Sequence, residues 1–97
     1  MRCGAKIRVS LRRSKLRREV LIYLVDIHPK KAYTAEISKE AELRSTDVCG
    51  ALNGLSDRFK KERSLVNLGL VKRTKEGDHW FYWATETGCN VSKQMDI

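Results

Sequence analysis

Residues 34–53 read TAEISKEAELRSTDVCGALN, and the spacing of their apolar side chains decides the fold. Thr34 is suited to cap a helix near 35–42, with Glu36 in the first turn, where the positive end of the helix dipole favours an acid. Ile37 and Ala41 share one face of that helix, and Leu43 falls in the turn that follows. Val48, Ala51 and Leu52 then share one face of a second helix near 45–54. Small Ala41 permits close approach, while Leu43 and Val48 fill the corner. The two helices are therefore expected to cross steeply, with the second free to project its other face.

This corner resembles the helix-turn-helix family of DNA-binding proteins, departing from it at Glu42, which takes the turn position where many members carry glycine. The resemblance implies that the helix near 45–54 is a recognition helix. On that reading Thr46, Gly50 and Asn53 point away from the core, with Ser45 and Cys49 at the margins. In a major groove Asn53 would pair with adenine, Thr46 would meet a thymine methyl or a base edge, and Gly50 would allow close backbone approach. No arginine or lysine lies on this face, and Asp47 near the helix start would repel phosphate unless occupied in capping. Arg44, just before the helix, is placed to hold a phosphate.

Outward toward the C-terminus, residues 65–71 read LVNLGLV, a helical pattern that stops at Gly69 and enters a strand. Lys72–Lys75 continue the strand, Glu76-Gly77-Asp78 form a tight turn, and His79–Ala84 make a second strand rich in aromatic residues. Thr85-Glu86-Thr87-Gly88 follow as the exit. This order is similar to small archaeal and bacterial winged-helix regulators, over roughly Leu16 to Gly88. The resemblance implies a mainly α chain with a small β-hairpin (α+β), a winged helix-turn-helix of three or four helices plus a wing over 70–85. It also implies that the wing cations Lys72, Arg73 and Lys75, with His79 across from them, touch the minor groove or the backbone.

Such regulators usually pass almost directly from the recognition helix to the LGLV stretch; here about ten residues intervene. Gly54 is expected to end or bend the helix, and Phe59 to anchor the insert. Arg58, Lys60, Lys61 and Arg63 would either reach phosphates or pair with Asp57 and Glu62 at helical spacing.

Outward toward the N-terminus, Ser14 or Ser10 can cap a helix in which Leu16, Val20, Tyr23, Leu24 and Ile27 recur at three- and four-residue steps. It must end before His28-Pro29. Lys30–Tyr33 is a short link with room for one strand. Residues 1–18 carry Arg2, Lys6, Arg8, Arg12, Arg13, Lys15, Arg17 and Arg18 without an acid, which equals the whole net charge of +8. Residues 1–13 are therefore read as a basic arm and 14–97 as the domain, with Arg12, Arg13 and Lys15 directed at phosphates. The arm itself is open among disorder, a strand through Lys6–Val9 and an extension of the first helix.

The chain has 97 residues, 41% hydrophobic and 33% charged, which suits a single folded module. Val20–Val25, the longest apolar run, is far short of the roughly 20 residues that span a bilayer. No apolar leader follows the basic N-terminus, so a cytoplasmic, nucleoid-associated location is expected, with no membrane partner. Cys3, Cys49 and Cys89 are widely spaced, and with His28 and His79 they signal neither a disulfide framework nor a metal site. No cofactor is implied. Glycine-rich phosphate loops, nucleophile–base pairs and paired carboxylates are absent from the pattern, so no enzyme is expected.

In Trp80-Phe81-Tyr82-Trp83 alternate rings face opposite ways, Trp80 with Tyr82 and Phe81 with Trp83. One face is core; the other needs cover from the N-terminal arm, the C-terminal segment or a second copy, and a homodimer is preferred. The leading expectation is thus a double-stranded DNA-binding transcription regulator. A winged-helix protein-docking module in a transcription-related assembly is the alternative, and duplex RNA or tRNA binding the third.

Overall fold

The computed structural model describes residues 4–54 and 64–95. Phe59 and the charged residues between Asp57 and Arg63, expected to form the insert, lie outside the described residues. So do Arg2 and Cys3.

Helix α1 spans Ala5–Arg13 and α2 spans Lys15–Asp26. The break between them is made by Ser14, whose backbone is extended and whose hydroxyl accepts the Arg17 N–H at 3.2 Å, capping α2. The basic N-terminal residues are therefore a separate helix folded against α2, with Ser10 and Leu11 buried. Arginines of α2 serve the last carbonyls of α1, which have no partners within their own helix. Arg18 Nη1 donates to Leu11 O at 2.7 Å and to Arg12 O at 2.9 Å, and Arg17 Nη1 to Ser10 O at 3.4 Å. Helix α2 buries Val20, Leu21 and Leu24; Leu16, Tyr23 and Ile27 from the expected stripe flank that face half-buried.

A two-residue strand β1, Ala32–Tyr33, leads straight into α3, Thr34–Ala41. Tyr33 takes the cap position that the sequence reading gave to Thr34, and its backbone N–H is accepted by Glu36 Oε1 at 3.3 Å. Glu42 ends α3 in the left-handed region, φ 56°. The turn is held by Leu43 N–H to Ser38 O at 3.0 Å and by the Ser38 hydroxyl, which donates to Leu43 O. Helix α4 then spans Ser45–Asn53 and presses Val48, Ala51 and Leu52 into the core with no exposed surface.

Residues from Ser64 onward lie against the end of α4. Leu65 N–H donates to Ala51 O and Val66 N–H to Leu52 O, both at 3.0 Å, so the carbonyls of the last turn are satisfied from outside the helix. Residues 64–69 form a turn rather than the helix expected there. It closes at Gly69, φ 78°, with Leu70 N–H to Leu65 O at 3.1 Å and Gly69 N–H to Val66 O at 3.1 Å, the bonding of a glycine C-cap.

Strands β2, Val71–Glu76, and β3, His79–Ala84, form the hairpin, in register from Val71 opposite Ala84 to Glu76 opposite His79. Gly77 supplies the turn with φ 64°. β1 pairs with the other edge of β3, giving an antiparallel sheet in the order β1-β3-β2. Thr85 caps α5, Glu86–Gln94, accepting from Gly88 N–H at 3.0 Å while its hydroxyl donates to Gly69 O at 2.7 Å.

The result is an α+β fold compatible with a winged helix, with five helices among the described residues. The surplus over three or four comes from α1, which the sequence left undecided, and from the C-terminal segment, which folds as α5. Val71, Tyr82, Ala84 and Ala32 form the buried face of the sheet, against the helices. On the opposite face Phe81 is half-buried, edge to face with Tyr33 at 5.8 Å, and Lys31 Nζ lies 6.0 Å from the Trp83 ring centre. The second aromatic face, which the sequence reading gave first to another copy of the chain, is thus lined within the chain by β1 and its flank. Among the described residues no helix is long and apolar enough to cross a membrane.

Candidate nucleic-acid interface

The core face of α4 determines what its other face can offer. With Val48, Ala51 and Leu52 inward, Ser45 and Thr46 are exposed, and Cys49 and Asn53 half-buried. These four lie at three- and four-residue steps, on one stripe of the helix. Gly50 is buried and does not belong to it, which corrects its expected outward position: it stands next to Ala51, on the flank that α4 turns toward the core. Asp47 is buried too, and its Oδ2 accepts from Arg44 Nε at 3.1 Å. The carboxylate is therefore neutralised at the helix start, while the Arg44 side chain stays largely exposed.

The hairpin stands beside this stripe and splits the four groups that the sequence reading placed on the wing. Directly opposed residues of antiparallel strands share a face. Arg73 and Lys75, opposite Tyr82 and Trp80, lie on the helix-facing side, whereas Lys72, opposite Trp83, lies on the other. His79, opposite Glu76, goes with Lys72 and packs its ring 5.3 Å from that of Tyr33. The turn itself is acidic: Glu76 Oε2 is bound to Lys31 Nζ at 2.7 Å, and Asp78 is exposed.

Four side chains connect the hairpin to the end of α4. Asn53 Nδ2 donates to the Tyr82 hydroxyl at 2.8 Å, and Asn53 Oδ1 accepts from Arg73 Nη1 at 2.8 Å. The Arg73 guanidinium in turn lies 4.6 Å from the centre of the Trp80 ring, a cation–π contact. Trp80 is 41% exposed, among the most exposed large apolar side chains described. Strand alternation alone places Tyr82 inward and Trp80 on the same side; that Tyr82 and Asn53 meet is tertiary information. The expected adenine-reading role of Asn53 meets a competitor here, since both ends of its amide have partners.

Between the start of α3, the α4 stripe and the hairpin runs an open cleft of about 610 Å³, with Ser45, Cys49 and Asn53 on one wall and Arg73, His79 and Trp80 on the other. Arg12, Arg13 and Lys15 stand elsewhere, exposed at the α1–α2 junction, with Lys15 Nζ 3.7 Å from Glu19. The structure thus brings Ser45, Cys49, Asn53, Arg73 and His79 into one cleft, with Thr46 and Arg44 at the same helix start. The junction cations form a second, separate group. Cys49 and Cys89 are free thiols, and no group of three or more His, Cys, Asp or Glu suited to a metal ion occurs among the described residues.

A family model described as EarA-like matches residues 7–95, which takes in every element from α1 to α5 apart from the first two residues of α1. An uncharacterized protein from Methanocaldococcus jannaschii is 35% identical over 82 residues, covering 84% of this chain and 74% of the relative.

Proposed function

This chain belongs to the EarA-like family, and from the arrangement of α4 and the hairpin we propose that it binds double-stranded DNA as a non-enzymatic transcription regulator. The observation that supports the reading most is the pairing of an exposed, small-residue stripe on α4 with cations on either side of it. Arg44 stands at the start of the stripe, and Arg73 and Lys75 stand on the strand face beside its end. A helix bearing Ser45, Thr46 and Cys49 can lie close against base edges, and flanking cations are what a duplex backbone selects. Arg12, Arg13 and Lys15 add a second phosphate-seeking group. The protein acts in this reading on the nucleoid, in the cytoplasm, with two copies presenting two α4 helices about one DNA turn apart.

A protein-docking module is the second reading, favoured by the exposed ring of Trp80 beside the uncharged stripe. The two separate in a titration of the protein against a labelled mixed-sequence duplex at several salt concentrations. DNA binding gives a logarithm of the binding constant that falls linearly with log salt, with a slope of about −0.9 per phosphate contacted. No association at low salt would leave the docking reading in its place.

A further inference from the structure

We propose, resting on the DNA-binding reading, that Arg73 is the base-reading residue of the interface. It donates from its planar guanidinium to O6 and N7 of one guanine in the major groove beside α4, with Trp80 and Asn53, itself held by Tyr82, as positioning residues.

The α4 stripe creates the need. Ser45, Thr46 and Cys49 are short, and Asn53 already donates to Tyr82 and accepts from Arg73. The helix thus offers no long side chain able to make two parallel hydrogen bonds to a base, the contact that separates one base pair from another. Arg73 reaches the end of the same stripe from β2. Its guanidinium is fixed twice, by the 2.8 Å bond to Asn53 Oδ1 and by the Trp80 ring 4.6 Å away.

The Trp80 ring occupies one side of the guanidinium and leaves N–H groups for other acceptors. Asn53 engages one of the five donors, and the rest remain as a fork of defined orientation. A phosphate oxygen accepts from many directions and gains little from such fixing; a guanine edge accepts from one. The ordering entropy of the long side chain is met before DNA arrives. Lys75, two residues along the same face and free of any planar requirement, is suited to the adjoining phosphate. Glu76 at the turn is already paired with Lys31, and Asp78 lines the same cleft, so the cations left for the duplex on this flank are Arg73 and Lys75.

The test begins with enrichment of a duplex from a random pool by the unaltered protein. Each guanine is then replaced in turn by 7-deazaguanine, which keeps base pairing and O6 but lacks the N7 acceptor. Binding is measured for the wild type and for Arg73→Met, Arg73→Ala, Asn53→Ala and Asn53→Asp, each checked for folding by its thermal transition. The proposal expects one guanine at which loss of N7 weakens the wild type about tenfold or more. The same substitution costs the Arg73 variants nothing further. Asn53→Ala shows a reduced penalty, while Asn53→Asp, which keeps an acceptor for Arg73, retains it. Arg73→Met, which keeps a long apolar stem and has no donor, carries the test if the alanine variant fails to fold. If the enriched duplex binds but no guanine responds, or the penalty persists in Arg73→Met, the proposal is overturned and DNA binding stands. If no duplex is enriched, both readings fall together.

Discussion

The carbonyl oxygen of Leu70 lies 2.2 Å from where a Cβ on Gly88 would stand, so the first turn of α5 rests directly on the backbone that opens β2. The same oxygen accepts the Thr85 N–H at 3.0 Å. This contact clamps the base of the hairpin to α5 and sets where the hairpin emerges beside α4. Gly88→Ala forces the two backbones apart and is expected to destabilise the fold by about 3 kcal/mol or more. Gly69→Ala is the comparison: a Cβ there meets open space, and only its left-handed φ of 78° opposes it. That change should cost about 1 kcal/mol. Thermal or denaturant unfolding of the two variants should rank them in that order.

Glu42 adopts φ 56° at the end of α3, a conformation that costs a side chain and not a glycine. Glu42→Gly is expected to stabilise the protein by about 0.5–1 kcal/mol, the relief of strain outweighing the greater freedom of the unfolded chain. A raised midpoint in urea at unchanged slope is the expected result.

Arg18 ties α2 to α1 through the carbonyls of Leu11 and Arg12. Arg18→Ala leaves those carbonyls without their donor and is expected to lower the opening free energy of α1 by about 1–2 kcal/mol. Hydrogen exchange should show faster amides at the end of α1, with α4 unchanged.

The cations are expected to divide by role. Lys75→Ala should reduce the salt slope by about 0.9 without altering which sequence is preferred, as befits a phosphate contact. Arg12→Gln with Arg13→Gln should also flatten the slope, and these two exposed positions carry no buried packing. Deleting residues 1–13 would be a poorer experiment, since Leu11 is fully buried and its removal would open the core.

The parts of the fold legible in the sequence were those set by local periodicity and turn chemistry. The α3–α4 corner followed from Ile37, Leu43, Val48 and Leu52. The hairpin followed from Gly77 between two strand-forming runs, and the α2 start from Ser14, one of the two serines able to cap it. What escaped was decided by packing between distant segments. Nothing local distinguishes a basic helix from a basic tail in residues 5–13; burial of Leu11 and the bonds from Arg17 and Arg18 do so. Spacing alone places Gly50 outward, but it carries no side chain to report which flank the helix buries. The partnership of Asn53 with Arg73 spans twenty residues. The sequence marked both as polar candidates for DNA, and only the fold shows that one orients the other.

In the proposed complex a duplex lies against the stripe of α4 and the helix-facing flank of the hairpin. Amide and indole NMR shifts during titration with a duplex of mixed sequence at low salt test it most directly. Shifts at Ser45, Thr46, Cys49, Arg73, Lys75 and the Trp80 indole, with α5 unmoved, are the predicted result. An unchanged spectrum at low salt, or shifts confined to α2 and α5, would contradict it.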